Sequence, residues 1–306
     1  MISNLTPSSE AFLANMQRVQ RSVEEANRQV TSGKRVNVAS DAPDEVDAIL
    51  QLRADQMRNI QIQSNLAVAK ADADAADGAL ASAVKIMDRA RTLGAQGANF
   101  TLDATGQQSI ADEIESLQEQ MVSISRTTVQ GRFIFSGDQD SGPAYQLDLT
   151  SATGVSALIT STATRRAEDP AGGTFSVTKT ATEIFDAANP DGTPSTANVF
   201  AALNSLRVAL LANDTAQINT ALGAIQTASE HLNTSESFYG SVQNRIQDAI
   251  NYGANYDVQL KTELSQKEDA DVTAAAMELN QATIQLQAGF QMQAKMPRTS
   301  LFDYIG

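Results

Sequence analysis

The residues best suited to chemistry are few in this chain and poorly placed for it. A single histidine, His231, stands beside Leu232 and near Ser235 in a stretch of helical rhythm. With no second histidine and no cysteine in the sequence, it has no partner for a transition-metal site. It is equally isolated as a base for the plentiful serines and threonines. Asp72, Asp74, Asp77 and Gly78 have the look of a calcium loop. The glycine falls one place late, however, and Ala83 stands where the closing glutamate belongs, so these acids are expected on a solvated helical face. Ser32-Gly33-Lys34 lacks the upstream glycine of a phosphate-binding loop. Glu268, Asp269 and Asp271 could pair as carboxylates, but nothing nearby in sequence would form a pocket around them, and they read as a charge run at a helix junction. No catalytic residue, cofactor site or metal site is expected, and the chain reads as a non-enzyme.

Bulk composition supports that direction. The 306 residues are rich in Ala, Gln, Ser, Thr and Asn, only 5% are aromatic, and Trp and Cys are absent. So few large side chains suit long helices packed along narrow seams better than a thick globular interior. A formal charge of -14 argues against nucleic acid and against an anionic membrane surface as partner. No stretch approaches the ~20 apolar residues of a membrane span, and the start at Met1-Ile2-Ser3-Asn4-Leu5 has neither the basic nor the apolar region of a secretory signal.

The elements that could position anything are mostly helical. Ile2, Leu5, Ser9, Phe12, Met16, Val19, Val23, Ala26 and Val30 follow alternating steps of three and four, with Arg18, Arg21, Glu24, Glu25 and Arg28 outside the stripe. Gly33 is a natural stop, and Ser40-Asp41-Ala42-Pro43 reads as the capped start of a second helix running to about Gly97, anchored by Val46, Ile49, Arg53, Met57, Ile60, Leu80, Val84 and Met87. A third helix carries Ile110, Ile114, Leu117, Met121 and Ile124, and Arg132-Phe133-Ile134-Phe135 reads as a short strand. Residues 138–197 read as a small β-rich insertion with short runs at 144–149, 155–160 and 174–180. Helical pattern resumes at Val199, and Asp214 caps a long helix with Ile218, Ile225, Leu232, Tyr239, Ile246, Gly253 and Leu260 seven apart. A last helix carries Val272, Ala276, Leu279, Leu286 and Phe290. The expected fold is mainly α, an elongated antiparallel helical bundle with its terminal helices forming a coiled coil and a β module at the distal end. Its expected parts are 1–42, a coiled-coil helix and turn; 43–137 and 198–266, the two halves of a helical rod; 138–197, the insertion; and 267–306, a second coiled-coil helix with a tail.

Two separated stretches carry more specific wording. Val30-Thr31-Ser32-Gly33-Lys34-Arg35-Val36-Asn37 followed by Ser40-Asp41-Ala42-Pro43 resembles the start of the flagellin superfamily. The long penultimate helix, the acidic break at Glu268–Asp271 and a Gln- and Ala-rich last helix resemble its end. Within the superfamily, Thr128-Val129-Gln130-Gly131-Arg132-Phe133-Ile134-Phe135-Ser136-Gly137 and the tail Ser300-Leu301-Phe302-Asp303-Tyr304 are most similar to the hook–filament junction family, with Gln130 standing where that family often has Asn. The resemblance implies a structural subunit self-associating in a helical ring, with a neighbouring hook-associated protein and flagellin as partners. It also implies an export chaperone and a place outside the cell, reached through the flagellar channel. The alternatives are a flagellin proper or a cytosolic coiled-coil adaptor. The expected assembly interface is Leu5, Phe12, Met16, Val19 and Val23 at the front and Leu279, Leu286 and Phe290 at the back.

Overall fold

The computed structural model describes residues 7–99, 103–161 and 163–295. Among them are seven helices: α1 Pro7–Ser32, α2 Val46–Gly97, α3 Ala104–Ser125, α4 Ala181–Phe185, α5 Val199–Leu211, α6 Thr215–Glu268 and α7 Val272–Lys295. Six short strands form three separate antiparallel hairpins, β1 Thr128–Val129 with β2 Arg132–Phe133, β3 Tyr145–Leu147 with β4 Val155–Ala157, and β5 Arg166–Glu168 with β6 Thr174–Ser176. The chain divides into two compact units. Residues 1–58 and 256–306 form one, and residues 59–255 form the other.

Helix boundaries follow local chemistry. Asp214 caps α6, its carboxylate accepting from the amides of Ala216 and Gln217 at 2.9 and 3.0 Å. Asp41 does not cap α2. Its carboxylate accepts instead from the upstream amides of Asn37 and Val38, both at 2.9 Å, so it folds the connecting turn and α2 begins only at Val46. Those two hydrogen bonds, with Arg28 nearby, hold the Asp41 carboxyl below the ordinary carboxylate range.

In the larger unit, α2 and α6 run antiparallel. Asn59 donates to the Gly253 carbonyl at 2.8 Å, Gln243 to Asp74 at 3.0 Å, and Arg91 to Gln226 at 3.1 Å. The buried line of α6 is the expected seven-spaced one: Ile218, Ile225, Leu232, Tyr239 and Ile246 are all buried. On α2 the expected anchors Ile49, Leu80 and Met87 are buried, but most of the buried line is alanine rather than the other expected anchors. It passes through Leu66, Ala69, Ala73, Ala76, Leu80, Ala83, Met87 and Ala90, while Met57 and Ile60 lie more than half exposed. Alanines carry this seam because small side chains let two helices approach closely. Glycines near the end of α2 leave room for leucines of α6 and α5. A Cβ placed on Gly94 would stand 2.6 Å from Leu222, and one on Gly97 would stand 2.3 Å from Leu210.

Large side chains gather instead where the hairpins, α4 and α5 meet α6. Phe135 meets Phe185 edge-on at 5.5 Å and Tyr239 at 6.5 Å; Phe200 joins Phe185 at 5.8 Å and Tyr145 at 5.2 Å. The Tyr239 hydroxyl accepts from the Lys179 amide at 3.1 Å. Burial pushes the Tyr239 and Tyr145 phenols well above their usual value. Charge fixes the same region. Asp72, expected on a solvated face, is buried on α2 and receives Arg165 at 2.8 Å and Arg132 at 3.4 Å, and Arg165 continues to Asp140 at 2.9 Å. Both arginines meet the same oxygen, Oδ2, and replace the water it loses, while Oδ1 is buried without a hydrogen-bond partner.

The β1–β2 turn is two residues long, and Gln130 and Gly131 have φ of 52° and 79°. Such turns need two left-handed residues, a conformation that Asn takes more easily than Gln. Gln130→Asn is therefore expected to stabilise the chain by about 0.5 kcal/mol. Gly137→Ala should do the opposite, since Gly137 has φ 59° and an added Cβ would lie 2.6 Å from the Ala163 carbonyl. A loss of about 2 kcal/mol or more is expected. Urea midpoints of the two variants, moving in opposite directions, check both values.

Candidate assembly interface

In the smaller unit α1 and α7 pack antiparallel, and this pair is where the assembly residues were expected. The heptad stripe of α1 is the half-covered face. Phe12, Met16, Val19, Val23 and Val30 are half-buried and Ala26 is buried, while Arg18, Arg21, Glu24, Glu25 and Arg28 stay exposed. Ser22 donates to Glu278 at 2.9 Å and ties the register.

On α7 the buried line is built of small residues. Ala275, Ala282 and Gly289, seven apart, are the buried positions, with Leu279 and Leu286 half-buried beside them. The sequence rhythm places the seam one residue later, through Ala276, Leu279, Leu286 and Phe290. The difference arises because Ala and Gly permit a close approach that a larger side chain would block. A Cβ on Gly289 would meet the Met16 sulfur at 2.3 Å. Phe290, by contrast, is 57% exposed. Leu5 and the tail at 300–304 lie outside the described residues.

Sequence reasoning missed a second feature of α7. Met277, Ile284 and Met292 are each more than 60% exposed, and Leu13 on α1 is also exposed. Met277 and Ile284 are seven apart, a signal that was available but masked by the competing stripe. From Val272 to Ala294 the only charged residue is Glu278, so these apolar groups stand among Gln, Asn, Thr and Ala rather than among charges. Such a surface offers dispersion and apolar burial but no steering by charge.

The connectors at the inner ends of this pair are locked together. Gly33, with φ 70°, ends α1, and its carbonyl accepts from the Ala270 amide at 2.9 Å. The Arg35 and Val36 amides donate to the Glu268 carbonyl at 2.7 and 3.2 Å. The Glu268 side chain is 2% exposed and holds Arg53 at 2.6 Å together with Lys34. The acidic run thus has basic partners that sequence proximity did not show. Burial alone would raise the Glu268 carboxyl, but the bonds from Arg53 and Lys34 outweigh it and hold the group below its ordinary value. His231 has a structural contact as well, its Nε2–H donating to the Glu183 carbonyl at 2.8 Å. Among the described residues, no group of three or more His, Cys, Asp or Glu is placed to hold a metal ion, and no helix is long and apolar enough to cross a membrane.

Comparison with known proteins agrees with this architecture. Residues 2–140 match the family described as the bacterial flagellin N-terminal helical region, and residues 222–305 match the bacterial flagellin C-terminal helical region. The two matches together take in well over half of the chain, which belongs to the flagellin superfamily and is a structural, non-enzymatic component of the bacterial flagellum. Flagellar hook-associated protein 3 of Escherichia coli strain K12 is 24% identical over 291 residues, covering 90% of each chain. A solved structure described as a flagellar hook-associated protein, from Vibrio parahaemolyticus, superposes with a TM-score of 0.63 at 21% identity, over 75% of this chain and 100% of that one. Flagellar hook associated protein-3 of Legionella pneumophila gives 0.61 at 14% identity, over 72% and 98%. These structural likenesses establish the fold.

The small-residue seam generates a direct test. Ala282→Leu inserts three carbons into a buried, close-approach position and should weaken the α1–α7 pairing by about 1–3 kcal/mol. Hydrogen exchange should rise across residues 17–30 and 275–290, with the urea midpoint of residues 59–255 unchanged.

Proposed function

We propose that this chain is a hook–filament junction subunit that assembles through the outward sides of α1 and α7. The observation that carries the reading is the run of large apolar side chains left uncovered on α7, Met277, Ile284, Phe290 and Met292, on a helix with a single charge before its last residue. Covering one such side chain gains on the order of 1.5–3 kcal/mol, so a few together offset the ordering that docking demands. In this reading Phe290 faces a neighbour together with Met277 and Ile284. Leu5, Phe12, Met16, Val19, Val23, Leu279 and Leu286 contribute both to the pair within one subunit and to contacts between subunits. The neighbours are further copies of the chain in a ring, an adjoining hook-associated protein and flagellin. The chain reaches its place outside the cell through the flagellar export channel, escorted beforehand by an export chaperone. The hook-associated name of the relative over nearly its whole length supports the junction over the filament.

The test is incorporation. Met277→Asp combined with Ile284→Asp, and separately Phe12→Asp, should abolish incorporation into flagella in cells lacking the native chain, while residues 59–255 keep their urea midpoint. Normal junctions from either variant would overturn the interface. Purified chain growing unaided into long filaments would overturn the junction role in favour of a filament subunit.

A further inference from the structure

The two connectors that join the α1–α7 pair to α2 and α6 meet at one buried carboxylate. Backbone bonds cross between them at Ala270 to Gly33 and at Arg35 and Val36 to Glu268, with Lys34 and Asp269 paired as an antiparallel bridge. Arg35 adds a bond of 2.6 Å to the Lys267 carbonyl. Few apolar groups support this crossing: Val36, Ala42 and Ile49 form its small buried cluster, with Leu264 against it. Glu268 therefore ties the end of α6 to two other stretches, to residues 34–36 through its carbonyl and its carboxylate, and through the same carboxylate oxygen to Arg53 on α2.

We propose that Glu268 is a charge-operated latch, whose ionised carboxylate clasps the two connectors and whose neutralisation releases the α1–α7 pair as one body from the adjoining ends of α2 and α6. The bonds divide into two groups by position. Interactions internal to the pair, at Ser22–Glu278 and Met16–Gly289, lie away from Glu268 and survive its loss. The cross-connector bonds lie within two residues of it, and without its charge Lys34 and Arg53 have no reason to converge there. Release matters to a subunit whose terminal helices must find neighbours, because it changes the direction of the pair without melting it. The latch is a property of the free chain and is tested without assembly, so its failure leaves the junction role standing.

The other charged groups at the clasp are accounted for. Arg35 pairs with Glu45 at 2.7 Å, and Arg28 lies 4.0 Å from Asp41. Asp269 accepts from Ser265 at 2.6 Å, Asp271 caps α7 through the amides of Thr273 and Ala274, and Lys267 lends its carbonyl to Arg35. The sign is fixed by Glu268 itself. Its carboxyl is depressed in the folded chain, so the clasp is complete above the ordinary glutamate value and is lost as pH falls through the depressed one.

The experiment is hydrogen exchange on the full chain, corrected for intrinsic rates, comparing native protein with Glu268→Gln and Glu268→Asp. Lys34 and Arg53 remain 45% and 44% exposed, so solvent screens the node, and the expected effect is about tenfold rather than a hundredfold. In Glu268→Gln the amides of Arg35, Val36 and Ala270 should exchange about tenfold faster, those of 17–30 and 275–290 should keep their protection, and Glu268→Asp should restore part of the loss. Lowering the pH stepwise from 6 to well below the ordinary glutamate value should release the same three amides in the native chain but add little in Glu268→Gln. Unchanged protection of the three amides in Glu268→Gln overturns the latch. Simultaneous loss across α1 and α7 also overturns it, because Glu268 would then be a general stability residue. Should Glu268→Gln fail to fold, the pH series on the native chain decides between the same outcomes.

Discussion

Close approach between helix backbones is the constraint on which this structure depends. Helices of 52 and 54 residues lie against each other along lines in which alanine is the commonest buried residue of α2, and α7 meets α1 over Ala275, Ala282 and Gly289. Small residues forfeit apolar area but bring main chains near enough for dispersion along the whole length. The few large side chains are then free to be concentrated at one place. Phe135, Tyr145, Phe185, Phe200 and Tyr239 all stand where the hairpins and short helices join α6. In a chain with only 5% aromatic residues, this cluster takes, among the described residues, all the buried aromatic side chains but Phe175.

Seams of small residues hold helices together but define register and direction weakly, because alanines look alike to one another. Charge supplies part of the missing information. Asp72 accepts two arginines from the hairpin region, and Glu268 accepts a lysine from one connector and an arginine from α2. Each carboxylate is buried at a point where segments distant in sequence must meet. An uncompensated charge in either place would be costly, so a misregistered chain is penalised even where its apolar contacts remain acceptable. The two nodes resemble each other in construction and differ in surroundings. Asp72 sits beside a thick aromatic core, whereas the cluster around Glu268 has only three buried apolar residues.

Much of this was legible in the residues. The seven-spaced line of α6, the cap at Asp214, the extent of α3 and α5 and the β character of the insertion all follow from local periodicity and turn chemistry. The departures share one cause. Reading by hydrophobicity gives weight to Met57 and Ile60, which are exposed, and little to Ala73, Ala83 and Ala282, which are buried. Hairpin partner β5 and helix α4 escaped because Arg166–Glu168 carries no apolar alternation and α4 is only five residues long. Asp72 and Glu268 escaped for a different reason. Their partners are 60 and 93 residues away in one case and 234 and 215 in the other, beyond what spacing can reveal.

The antiparallel meeting of α1 with α7 also dictates an order of events. Ser22 and Glu278 are 256 residues apart, so in an unfolded chain their encounter must close nearly the longest loop available. The larger unit removes most of that loop when it folds, since Asn59 then hydrogen-bonds across to Gly253. From that moment the two ends leave a common base and meet as if they were joined by a short tether. The pair therefore zips last and outward. For a chain delivered N-terminus first, α1 must wait without its partner until almost every other residue has arrived.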